Sequence, residues 1–273
     1  MGKTIAIVNQ KGGVGKTTTT MNLGYALAEK GKRVLMIDFD PQSSLTVCMG
    51  YDDPDQLPCT IATLMDLTMT DQELPDDIDQ YICYQYLENN MIDLIPCSME
   101  LSAVDVSLVN AVCRESILKN ILDKIIKNRE SEGLAEYDYI LIDCSPSLGM
   151  LTINAMVAAD AVIIPVTPEY LSAKGLEILL KNILRVKRKI NPRLEIEGIL
   201  FTMYRERMRL TKTVEEIIAD TYGQDIPIYV SRIPASVKVG ESNLQSQSII
   251  AYDADNKVSI AYQALAEEVL HRE

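Results

Sequence analysis

The chemistry of this chain concentrates in an octet near its start, Lys11-Gly12-Gly13-Val14-Gly15-Lys16-Thr17-Thr18, which follows an apolar run at 4–8. A glycine-rich turn between a buried strand and a helix aims backbone N–H groups and the positive end of the helix dipole at one point. The result is an anion cradle. Lys16 adds a point charge suited to β- and γ-phosphates, and the Thr17 hydroxyl is placed to ligate Mg²⁺. The pattern GxxxxGK[ST] fails at one position: Gln10 replaces the first glycine, and an extra lysine, Lys11, stands at the loop entrance. A second cluster, Ile37-Asp38-Phe39-Asp40-Pro41-Gln42, puts two carboxylates at i and i+2 on a strand end. They are expected on the same side, at the edge where doubly wound sheets bind ligands. Like charges at that spacing need a cation, donors or water between them. A third carboxylate, Asp143, ends the apolar run Tyr139-Ile140-Leu141-Ile142, an arrangement that places an acid on a Mg²⁺ shell.

These residues must be positioned by alternating strands and helices. Apolar, β-branched runs predict strands at 4–8, 34–37, 92–95, 139–142, 161–166, 196–201 and 228–230. Several are continuously apolar, as strands covered on both faces are. Helices are predicted at 16–30, 98–110, 115–129, 172–190, 211–222 and 257–270. The alternation implies an α/β fold, doubly wound, with a mainly parallel sheet flanked by helices. No repeat, Gly/Ser linker or composition break divides the 273 residues, so one domain spanning 1–273 is expected. The stretch 52–79, with Pro54, Pro58 and Pro75, reads as short helices and loops on a surface excursion.

Composition narrows the functional classes. Six cysteines lack any CxxC, and the single histidine, His271, lies at the end of the sequence. That argues against zinc frameworks and against Ser-His or Cys-His nucleophile systems. Spaced thiols without a signal peptide predict reduced, buried residues of a cytoplasmic protein, and no apolar run approaches a membrane span. With two Phe and no Trp, stacking platforms for bases are disfavoured. The net charge of −13 is unevenly spread, since 51–110 holds 13 Asp/Glu and no Lys or Arg. The rest is neutral, and 174–212 carries eleven basic residues against four Glu. Within it Lys181, Arg185, Arg188 and Lys189 share one helical face. With Lys187, Arg193, Arg205, Arg207 and Arg209 they form a candidate surface for DNA phosphates, without sequence preference.

Taken together, the motifs resemble the ParA/Soj/MinD group of deviant Walker A ATPases, a class of P-loop NTPases. KGGVGKTT matches the signature loop, IDFDPQ the second motif and DYILIDCSPSLG the Walker B segment. AADAVIIPVTPEYLSAKG, GILFTMYRERMRLT and IAYQALAEEV are similar to later blocks of ParA and Soj proteins. The resemblance implies ATP and Mg²⁺ as cofactors, held by Lys11 through Thr18, with Thr17 and Asp143 at the metal. Lys11 would be the signature lysine that reaches the partner's phosphates in an ATP-dependent homodimer. Asp40 would orient or activate the attacking water, and Asp38 would support the site. Near the adenine the family's Ile-Pro-Arg-Asn is Ile233-Pro234-Ala235-Ser236: Pro234 keeps a backbone role, while Ser236 offers a hydroxyl in place of an amide. The expected function is DNA partitioning: an ATP-bound dimer holds double-stranded DNA on the nucleoid, and a ParB-like activator stimulates hydrolysis and release. An acidic end, Ala266 to Glu273, argues against the membrane helix of MinD proteins. The absence of a helix-turn-helix ahead of the first strand argues against sequence-specific autorepression. Two alternatives are an ATPase that positions a non-DNA protein cargo, and a metal-cluster carrier using Cys97 and Cys144. The acidic stretch is a candidate face for the activator, through Asp76, Asp77 and Asp79.

Overall fold

The continuously apolar runs become the middle of a sheet, because only strands covered on both faces can bury every side chain. The computed structural model describes residues 2–70, 72, 74, 81–87 and 90–272. Seven strands run parallel: β1 (Lys3–Ile7), β2 (Val34–Phe39), β4 (Asn90–Ile95), β5 (Tyr139–Cys144), β6 (Ala161–Val166), β7 (Glu195–Tyr204) and β8 (Ile228–Pro234). An eighth, β3 (Cys83–Leu87), pairs antiparallel with β4 at one edge. The order is β3-β4-β2-β5-β1-β6-β7-β8. All residues of β2, β5 and β6 are buried.

One face is covered by α1 (Lys16–Glu29), α2 (Ser44–Cys48), α10 (Ile249–Tyr252) and α11 (Lys257–Leu270). The other carries α3 (Ile61–Met69), α4 (Leu101–Leu108), α5 (Ile117–Ser131), α6 (Met150–Ala158), α7 (Tyr170–Lys189) and α8 (Arg209–Tyr222). A short helix, α9 (Lys238–Leu244), follows β8. In α11, Val258, Tyr262, Leu265, Ala266 and Val269 are buried along one stripe at helical spacing. Its Asn256 cap accepts from the Val258 N–H. Helix α1 is buried on most sides, and an added Cβ at Gly24 would sit 2.8 Å from Met36 Sδ on β2. Helix and sheet meet closely at that point.

The structure departs from the sequence reading in several places. The stretch after β2 is no mere surface excursion, since Ile61, Ala62, Leu64 and Met65 of α3 enter the core. Helix α3 starts at a Thr60–Thr63 capping box. Helix α6 carries no amphipathic signal, because Met150–Ala158 is buried almost all round. Of the six thiols, all free, only Cys97 and Cys144 are buried; Cys113 is exposed. Asp76, Asp77 and Asp79 lie outside the described residues.

Candidate nucleotide site

The sheet register assembles the site. At the C-terminal edge Asp38 of β2 lies opposite Asp143 of β5, and Asp143 is level with Ile7 at the end of β1. The loop from β1 into α1 therefore opens over both carboxylates, at the edge where such sheets bind ligands. Gly13 and Gly15 take φ of +69° and +83°, left-handed values that suit glycine. Asn9 anchors the loop entrance: its Oδ1 accepts from the Lys11 N–H at 2.9 Å, and its Nδ2 donates to the Pro165 carbonyl at 2.6 Å. Thr202 Oγ1 donates to the Val14 carbonyl at 2.8 Å, tying the loop to β7.

The two loop lysines face different surroundings. Lys16 is 7% exposed, and its ammonium donates to the Lys11 carbonyl at 3.5 Å across the turn. The Lys11 side chain is 41% exposed and pairs with Glu169 at 2.5 Å. Gln10, the residue in place of the first glycine, donates from Nε2 to the Gly175 carbonyl of α7 at 2.8 Å.

The three acids also differ. Asp38 is fully buried but satisfied: its Oδ2 accepts from Thr46 Oγ1 at 2.7 Å and from the Thr46 N–H at 2.8 Å. Burial still pushes its pKa up to about 6, against the pull of those donors. Asp40 is half-buried at the mouth, where it accepts from the Gln42 N–H at 3.1 Å. The pair at i and i+2 thus divides, one acid held inward by Thr46 and the other at the opening. Asp143 is 1% exposed, and neither carboxylate oxygen accepts a well-formed hydrogen bond among the described residues. Burial and the neighbouring Asp38 raise its pKa well above the carboxylate range, although the Thr17 hydroxyl and the Lys16 ammonium favour the charged form. A buried acid without donors is costly unless a cation joins it, so Asp143 with Thr17 fits a hard, oxygen-seeking ion such as Mg²⁺.

Burial also raises the thiols of Cys97 and Cys144 far above neutrality, next to Asp38 and Asp143 respectively.

From the phosphate loop a cavity of about 470 Å³ extends between β7, β8, α9 and α11, past Gly15 and Thr18 to Pro234 and Ser236. Pro234 closes β8, and the Ser236 hydroxyl accepts from the Lys238 N–H at 3.2 Å. The sequence placed Pro234 and Ser236 here, but not Asn243, which also lines the cavity. Thr46, Asn9 and Glu169 were missed as well; each acts across the fold, with no local pattern to mark it.

The basic candidates scatter. Lys181, Arg185, Arg188 and Lys189 are exposed along α7, with Lys181 paired to Glu177 at 2.6 Å. Arg185 and Lys189 border a hollow of about 430 Å³ beside α6, with Arg114. Half-buried Lys187 lies on the α8 side, where Lys181 borders the same hollow. Arg193, Arg205, Arg207 and Arg209 are all exposed, and Arg205 also lines the cavity beside the phosphate loop.

A family model described as an AAA domain matches residues 2–196. The sporulation initiation inhibitor protein Soj of Bacillus subtilis is 41% identical over 270 residues, 98% of each chain. Two solved structures share the architecture. One is titled cobyrinic acid a,c-diamide synthase from Mycobacterium smegmatis, with bound ATP analog and magnesium: TM-score 0.79, 31% identity, covering 100% of this chain and 96% of that one. The other is a putative plasmid partition protein from Borrelia burgdorferi bound to AMPPNP: TM-score 0.77, 26% identity, full coverage of both chains. With this phosphate loop and a likeness to Soj from end to end, the chain belongs to the ParA/Soj family of partitioning ATPases, within the deviant Walker A group of P-loop proteins.

Proposed function

We propose that this chain is a DNA-partitioning ATPase, a single ATPase domain over 1–273, whose ATP-bound dimer grips double-stranded DNA without sequence preference. The observation that carries this reading is the pair of loop lysines, one turned inward and one outward. A buried Lys16 can serve only the nucleotide of its own subunit, whereas a half-exposed Lys11 at the same loop can meet a second copy's phosphates. A cation supplied by the partner stabilises transition-state charge only in the assembled dimer.

In this reading the N–H groups of residues 12–18 and the Lys16 ammonium hold the phosphates. Mg²⁺, when bound through Thr17 and Asp143, neutralises charge on the phosphate oxygens. Asp40 at the mouth orients the attacking water and accepts its proton, while Asp38, fixed by Thr46, keeps the strand end in place. The exposed lysines and arginines of α7, with Arg193, Arg207 and Arg209, bind DNA phosphates. Each monomer has a small patch on an acidic chain, so dimerisation raises affinity by making the second contact intramolecular. A ParB-like protein stimulates turnover and release, placing the protein in the cytoplasm on the nucleoid. No helix among the described residues is long and apolar enough to cross a membrane.

Two variants test this. Asp40→Ala should bind ATP normally but lose about 10²–10⁴ in turnover, accumulating as a DNA-bound dimer. Arg185→Glu with Arg188→Glu should keep ATP binding and dimerisation but lose ATP-dependent DNA retention, with a log–log salt slope shallower by about 0.9 for each lost phosphate contact. Wild-type DNA retention by the double variant at matched salt would remove the DNA reading and favour a protein cargo.

A further inference from the structure

The nucleotide cavity has apolar walls, including Met203, Pro234 and Val239, and three of its hydroxyls already make one hydrogen bond each. Thr202 Oγ1 donates to Val14. Ser236 Oγ accepts from Lys238, which turns it into a cap for the following backbone. The Tyr262 hydroxyl shares a 3.3 Å contact with Thr19 Oγ1. Arg205 brings only donors. Asn243 is different: it is half-buried on α9, lines the same cavity, and its side-chain amide takes no hydrogen bond among the described residues. An amide presents one acceptor and two donors in one plane.

We propose that Asn243 reads the base of the bound nucleotide, Oδ1 accepting from the adenine N6 amino group and Nδ2 donating to N7. The assignment rests on the ATP-binding reading above. The N6/N7 edge of adenine offers one donor and one acceptor, which an asparagine amide matches in a bidentate pair. Guanine presents two acceptors, O6 and N7, on the same edge, so one arm of the amide would meet a like group. Asn243 therefore supplies a planar donor–acceptor pair, which the single Ser236 hydroxyl, already accepting from Lys238, does not. A site built to hydrogen-bond a particular group penalises analogues that lack it, because its own polar atoms are then left unpaired.

Calorimetric titration of ATP, inosine triphosphate and 7-deaza-ATP tests this. Inosine triphosphate replaces the N6 amino group by a carbonyl, and 7-deaza-ATP removes the N7 acceptor. The wild-type chain should bind each analogue about three- to tenfold more weakly than ATP. Asn243→Ala should bind all three alike. Asn243→Asp keeps the acceptor and loses the donor, so it should still discriminate against inosine triphosphate but not against 7-deaza-ATP. A wild-type chain indifferent to both analogues, or an Asn243→Ala variant that keeps both penalties, overturns the assignment and leaves ATP binding standing. The wild-type series needs no variant to fold. If the wild-type chain binds none of the three nucleotides, the nucleotide reading falls and the base assignment falls with it.

Discussion

Two carboxylates lie buried in the same half of the sheet and are treated in opposite ways. Asp93 on β4, 1% exposed, comes with its own counter-charge. Tyr137 donates to its Oδ2 at 2.5 Å, and Arg129, itself buried and stacked over the Tyr137 ring at 4.2 Å, stands 3.9 Å away. Arg129 is in turn fixed by the Ala135 carbonyl, at 3.2 Å from Nε and 3.0 Å from Nη2. At Asp143, one strand beyond β2, the Thr17 hydroxyl and the Lys16 ammonium favour the charge, yet neither oxygen accepts a well-formed hydrogen bond among the described residues. Asp38 stands between the two cases, closed off by Thr46. The contrast separates acids whose oxygens are paired within the fold from one whose oxygens are not, within a sheet whose sequence alone treats them alike.

The contrast is tested first where it should matter most. Arg129→Ala leaves the Asp93 charge buried without its cation, so denaturant unfolding should show a loss of about 3–5 kcal/mol. A loss below 1 kcal/mol would mean that Asp93 does not depend on its cation. Thr46→Val, close in shape, removes one donor to Asp38 and should cost about 1.5–3 kcal/mol, with ATP affinity changed little. Asp143→Asn should act in the opposite direction. Folding raises the pKa of this acid, so its contribution to stability is present at low pH and is lost as the group ionises. Asp38 beside it ionises at about pH 6, which adds like-charge repulsion above that point. Nucleotide-free Asp143→Asn should therefore be more stable than wild type by about 1–2 kcal/mol at pH 8, with less advantage at pH 5, and should lose the Mg²⁺ dependence of ATP binding. Equal melting of the two proteins at pH 8 would place Asp143 with Asp93, as a satisfied structural acid.

The phosphate end was legible because its determinants are consecutive. Strand, glycine turn, lysine and threonine occupy one stretch of chain, and the buried run before Asp143 marks its strand. The central strands were readable for the same reason, being continuous apolar runs. Other features depend on the fold. Strand β3, with Tyr84, Gln85 and Tyr86, lacks the apolar run of a central strand, because it lies at the edge and pairs antiparallel. Helix α6 is apolar on every side, so periodicity gave no phase. The cavity beside the phosphate loop draws on the loop itself and on β7, β8, α9 and α11, and Asn243 lines it only after folding. The place of Arg205 beside the cavity likewise depends on the fold.

Gln10 and Lys11, the two residues that set this loop apart from GxxxxGK[ST], both fasten onto the first half of one segment: Gln10 on the Gly175 carbonyl and Lys11 on Glu169 just before α7. The same 20-residue helix ends in Lys187, Arg188 and Lys189. From Gly175 to Lys189 the rod measures about 21 Å, at about 1.5 Å per residue. It therefore links the phosphate loop near its start to a basic end, and it is seated on the core between them through Leu176, Leu179, Leu180, Ile183 and Val186.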